Sequence, residues 1–263
     1  MYTPQRVLVV TAAFVVTVLG GVANGTAAAA GAAAALEDTA TIYLVQGVPG
    51  TAVDMAVDGK SVAQDVPTTT VIGPIAVGAG TRTITFTDDG GKVLAENTLA
   101  ANAGASSDLV LHLPTAAGDP PVVTQFDNDL TGIPSDKASV TVAHTAAVPP
   151  ADIRVDGKVL FANVANGESL NLVVPAGSYS VDIVPTGASS PVVFGPVDLA
   201  VQGGSLNRVY AVGDPSAKTM NVAVHVIALS DSGSAQPTMI NTGTGGSAVV
   251  LQVLARLLHV WRG

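Results

Sequence analysis

Between residues 39 and 229, apolar and polar residues alternate with a period of two in a series of short runs. Val140, Val142 and His144 fall on one side of such a run, and Ser139, Thr141 and Ala143 on the other. An earlier stretch repeats the pattern as Ile42, Leu44 and Gln46. Met55 with Val57, and later Ile153 with Val155, alternate with Asp54, Asp58, Asp152 and Asp156, which the pattern points outward. Successive side chains of a strand face opposite ways, so the alternation predicts strands buried on one face.

The runs come as two copies. Val57-Asp58-Gly59-Lys60 recurs as Val155-Asp156-Gly157-Lys158, with the same order of apolar positions around each. Asp58-Gly59 and Asp156-Gly157 each suit a two-residue type I′ hairpin, which needs positive φ at both positions. The return strands carry Val62 and Val66 in one copy, and Leu160, Ala162 and Val164 in the other. A second turn at Ala79-Gly80, matched by Ala176-Gly177, opens the strands Arg82-Ile84-Phe86 and Tyr179-Val181-Ile183. Each copy closes on a hairpin, Asp108 to Phe126 in the first and Leu206 to Leu229 in the second.

About seven short strands per copy, with no convincing internal helix, predict an all-β protein of two tandem Ig-like or transthyretin-like antiparallel β-sandwiches. The expected boundaries are 39–129 for the first, 130–137 for a linker containing Ile133-Pro134, and 138–229 for the second. So short a linker predicts that the two domains touch.

Composition narrows the setting. The net charge of −9, from 20 acidic and 11 basic residues, repels phosphate backbones and argues against nucleic acid as a partner. With no cysteine there is no disulfide, thiol chemistry or thiolate metal site. Charged residues make up 12% of the chain, about half the usual share, so solubility rests on Thr, Ser, Asn and Gly. Residues 1–35 read as a signal peptide with an Ala-rich region: Arg6, the apolar run Val7 to Leu19, and Gly21-Val22-Ala23 as a small-x-small cleavage site. That run is short for a transmembrane anchor, which needs about 20 apolar residues. The expected location is therefore extracellular or at the cell surface.

Several segments carry a family resemblance. Phe126-Asp127-Asn128-Asp129-Leu130, Ala138 through His144, Ala151 through Lys158 and Val174-Pro175-Ala176-Gly177-Ser178-Tyr179 resemble the secreted bacterial family known as domain of unknown function 4397. The resemblance extends from about Thr39 to Leu229 and is strongest in the second copy. It implies tandem all-β domains exported by high-GC Gram-positive bacteria, some tethered to the envelope. It implies no activity and no catalytic residue. Ala143 and Thr145 depart from the family's usual Val-His-Ala-Ser pattern, and Gln46 takes the histidine's place in the first copy.

The candidate residues read as structural. His144 and Gln46 lie in register and are expected to bond the loop that follows their strand, since an interchange of His with Gln defeats general base catalysis. Asp58, Gly59, Asp156, Gly157, Ala176 and Gly177 are assigned to turns. Asp54 with Asp58, and Asp152 with Asp156, sit four apart on a strand, roughly 13 Å. That is too far for the carboxylate pair of a glycosidase. Asp127-Asn128-Asp129 and Asp88-Asp89-Gly90 lack the spacing of a dedicated calcium loop, and His112, His225 and His259 have no sequence neighbours at metal-ligand spacing. No metal, cofactor or catalytic residue is expected.

Residues 230–263 read as a Gly/Ser/Thr tether and a short apolar tail. Val250, Leu251, Leu254, Leu257, Leu258 and Trp261 form one helical stripe suited to weak envelope association. The functional expectation is a non-catalytic module that contacts an extracellular protein or a cell-wall component, or acts as a spacer. The alternative is a module binding envelope polysaccharide. A hydrolase would need a site in the cleft between the copies.

Overall fold

A computed structural model describes residues 38–116 and 118–232. The signal segment, His259 and the apolar stripe of the tail lie outside the described residues. Among those residues there is no helix, and sixteen strands fall into two sets of eight. The first set comprises β1 (Thr39–Gln46), β2 (Val53–Val57), β3 (Lys60–Val66), β4 (Val71–Gly78), β5 (Gly80–Asp88), β6 (Val93–Ala101), β7 (Ser106–His112) and β8 (Val122–Asp127). The second comprises β9 (Lys137–Ala146), β10 (Ala151–Val155), β11 (Lys158–Val164), β12 (Ser169–Pro175), β13 (Gly177–Pro185), β14 (Phe194–Val201), β15 (Ser205–Gly213) and β16 (Asn221–Ala228).

Each copy is a sandwich of two four-stranded sheets, β4-β1-β7-β8 on β3-β2-β5-β6 and then β12-β9-β15-β16 on β11-β10-β13-β14. The order is the same in both copies, and each has eight strands rather than about seven. The arrangement is transthyretin-like, and one pairing per copy is parallel, β1 with β7 and β9 with β15. The turn chemistry is local and repeats. Asp58 and Gly59 take φ of 48° and 74°, and Asp156 and Gly157 take 50° and 75°.

The shared register equates residues across copies. Leu44 and Val142 lie opposite Leu109 and Val209. Met55 and Ile153 lie opposite Phe86 and Ile183. Gln46 and His144 lie opposite Leu111 and Ala211. At all four of the equated apolar pairs other than Met55 and Ile153, the second copy has the smaller side chain.

The two sandwiches stack face to face. Val45, Val110 and Phe126 of the first copy join Ala143, Tyr210, Val212 and Ala223 of the second in one apolar cluster. The molecule is therefore four sheets deep. This overturns the expectation of one buried face for the central strands: every residue of β7 and β15 is buried. Ser139, Thr141 and Ala143, read as solvent-facing, are buried too. Their face is covered by the other copy.

Candidate functional site

Across this interface the fold gathers ionisable side chains that are far apart in the chain. Asp108 of β7 is fully buried. Its Oδ2 accepts hydrogen bonds from the Tyr210 hydroxyl at 2.6 Å and from His225 Nδ1 at 2.7 Å. Its Oδ1 accepts one from Asn128 Nδ2 at 2.8 Å. Tyr43 lies against the His225 ring, with centroids 4.1 Å apart. Burial first, and then Asp108, holds the Tyr210 hydroxyl well above the usual tyrosine range, and the same two causes raise Tyr43.

The register explains how a duplicated face pairs with itself. Asp108 lies opposite Tyr43 in the β1–β7 pair, and Arg208 lies opposite Thr141 in β9–β15. An acid and a base therefore occupy equivalent positions. Arg208 donates from Nη2 to the Asp127 carbonyl across the interface. Further contacts follow the rim, where Asn166 Nδ2 donates to Leu113 O at 3.1 Å and to Ala146 O at 2.7 Å. The cluster links the two copies through the hydrogen bonds that Asp108 accepts. It has no room for a substrate at its centre, because Asp108, Tyr210 and His225 are all buried.

Sequence reading missed this constellation. His225 has no chemical neighbour in sequence, and Asp108 belongs to a strand whose alternation is that of a solvated face. The available signal was a charged residue at the middle of each equivalent strand, of opposite sign.

The assigned residues are placed as follows. Gln46 donates from Nε2 to the carbonyls of Val48 and Thr51, both at 3.0 Å, and its Oε1 accepts from Val48 N at 2.8 Å. His144 reaches Pro149 O with Nε2 at 3.3 Å. Both side chains therefore bond the loop after their strand. Burial lowers the pKa of His144, and likewise that of His112. His112 uses Nδ1 on Leu113 O and Nε2 on Thr124 Oγ1. Asp58 accepts from Thr83 N and pairs with Arg82 at 3.0 Å, which together lower its pKa, the Thr83 bond contributing most. Asp156 accepts from Ser180 N at 3.3 Å. Ala176 N donates to Asp136 O at 3.0 Å, and Gly177 starts β13.

Asp152 corrects the outward reading. It is buried, and it accepts from Asn163 N at 2.8 Å and Gly187 N at 2.9 Å, which lower its pKa. Its counterpart Asp54 accepts from Asp65 N at 2.9 Å. Asp65 and Asn163 both have positive φ, 52° and 56°, where the pairing to β2 or β10 shifts register. These aspartates hold the same β-bulge in each copy. Asp88 and Asp129 close their own turns on Gly90, Lys92 and Thr131. Among the described residues no three His, Cys, Asp or Glu side chains converge as metal ligands would.

Two recesses lie at the seam between the edge strands of each sandwich. In the first copy, one of about 520 Å³ opens beside β6 and β8, with Ser107, Gln125, Asp127 and Asn128 on its wall. Asp127 there accepts from Ser107 Oγ at 2.8 Å and Gln125 Nε2 at 2.7 Å. In the second copy, a slot of about 280 Å³ runs between β14 and β16 and is lined almost wholly by aliphatic side chains.

Residues 40–151 match the family model described as Domain of unknown function (DUF4397). The resemblance is thereby established for that stretch. It covers the first sandwich, the linker, β9 and the first residue of β10, so the match falls on the first copy and not, as expected, most strongly on the second. No curated protein matches the chain.

Proposed function

We propose that the protein is a non-catalytic extracellular or cell-surface module, in which the paired sandwiches form one rigid block that contacts a partner or sets a spacing. The observation that carries this reading is the use of Asp108, Tyr210 and His225. The one group of converging ionisable residues described above is consumed in joining the copies. Its export rests on the sequence of residues 1–35 and its envelope attachment on the stripe in the tail.

The test is a broad hydrolase and transferase substrate panel on the full chain, run beside a cell-wall pulldown. No turnover on any substrate is the expected result, and turnover abolished by Asp108→Asn would overturn it. A second reading, binding of envelope polysaccharide, is favoured by the polar recess beside Gln125 and Asp127. Wall binding lost in Gln125→Ala would support that reading.

A further inference from the structure

The two seams occupy equivalent places and have opposite chemistry. Gln125 and Val224 lie opposite Leu109 and Val209, and Asp127 and Val226 lie opposite Ser107 and Asn207. On the facing strand, Asn97 and Val197 lie opposite Ile84 and Val181. A polar seam in the first copy is thus an apolar one in the second.

The slot is open as well as apolar. Along β16, Ala223 and His225 are buried against the first copy, so Val222, Val224 and Val226 face into the sandwich. Even so, Val224 is 41% exposed and Val226 40%. The strands β6 and β8 meet across the seam of the first copy, whereas β14 and β16 make no comparable contact. Behind the opening, Val209 and Ala211 stand where Leu109 and Leu111 fill the first core. Phe194, at the position of Ala95, walls the slot rather than plugging it.

The geometry points to a binding site for a straight alkyl or acyl chain with an uncharged end, held between the sheets of the second copy. An apolar void of about 150 Å³ stays dry and takes up benzene; this one is about 280 Å³. Facing sheets stand about 10 Å apart, which suits a flat or linear occupant. The lining has no cation and its charged member is Asp198, exposed at the rim, which disfavours a carboxylate head group. This site is independent of the spacer reading, and also of the polar recess.

The full chain is titrated with n-hexanol, n-decanol and decanoate while methyl resonances are followed by NMR. Each added methylene inside the slot should tighten binding roughly fourfold, so n-decanol should bind more than tenfold tighter than n-hexanol and tighter than decanoate. Shifts should appear at Val209 and Val224 and not at Leu109 or Leu111. Val209→Leu with Ala211→Leu, which imports the first copy's residues, should weaken n-decanol binding about tenfold or more. Val224→Gln, a change at the exposed mouth that leaves the core alone, should weaken it severalfold. Equal binding of the two alcohols, shifts in the first copy, or unchanged binding in both variants would overturn the assignment. So would n-decanol binding that appears only after Leu254→Ser with Leu258→Ser, since the chain's own tail would then be the occupant.

Discussion

The two copies share strand order, turns and bulges, and differ in what fills them. In the first, Met55, Phe86, Ile84, Leu99, Leu109 and Leu111 are buried in one cluster. In the second, the equivalent positions hold Ile153, Ile183, Val181, Leu199, Val209 and Ala211, and a slot opens beside them. Topology is therefore set by pattern and turn chemistry, which both copies keep. Side-chain volume is a separate variable, free to drift or be used without changing the fold.

The largest effect is expected where the copies meet. Asp108→Ala removes the acceptor for Tyr210, His225 and Asn128, and should cost about 3–5 kcal/mol. Chemical denaturation should then show two separated transitions in place of one, because each sandwich keeps its own core. A single transition with an unchanged midpoint would mean that the interface contributes little.

The next experiment exchanges the cores. Leu111→Ala gives the first copy the residue of the second and should cost about 3 kcal/mol, as deletions in a filled core do. The reciprocal Ala211→Leu should be within about 1 kcal/mol of neutral, because the slot has room for the added methylenes. Equal and large losses from both changes would show that the second core is as tightly filled as the first.

The turns should not distinguish the copies. Gly59→Ala and Gly157→Ala each force an L residue to φ near 75° and should each cost about 1 kcal/mol. A twofold difference between them, read from the denaturation midpoints, would reveal unequal strain in the two hairpins.

The smallest effect is in pH. Burial lowers the pKa of both His112 and His144 below 6.5, and His144 further opposes charging of His112. The unfolded chain binds protons near 6.5 where the folded chain does not, so stability is full above that pH and falls as pH drops below it. His144→Gln imports the residue of Gln46 and keeps a loop donor, and should flatten the copy-two part of this fall. The carboxylates of Asp58 and Asp152, whose pKa values are lowered, lose their stabilising contribution only below about 4 as they protonate. A profile that is level from pH 7 to 5 would remove the histidine account.

Much of the framework is legible in the chain. Asp58-Gly59 and Asp156-Gly157 announce their turns because positive φ is a local requirement. Ile42, Leu44, Val140 and Val142 announce their buried face because alternation is local too. The bulges at Asp65 and Asn163 leave a fainter trace, the recurrence of Asp54 and Asp152 in the paired strands, because the bond that holds each bulge joins residues 11 apart. The chemistry of the interface was hidden for another reason. Asp108 meets Tyr210 and His225, and Arg208 the Asp127 carbonyl, across the junction between the copies, and such residues look in sequence like a face in water.

By itself, then, the chain determined that it is duplicated, that its elements are strands, where those strands turn, and which side chains fill each sandwich except on β11, where Phe161 packs on the core and Leu160 and Ala162 are exposed. Only the tertiary structure decided that the outer faces of two sheets become an inner one, that Asp108 meets His225 and Tyr210, and that the second core is left open. The first group depends on dihedral preferences and on the period of a single strand, which neighbouring residues encode. The second depends on distances between residues remote in the chain and on the sum of many side-chain volumes, and neither quantity is carried by any local stretch.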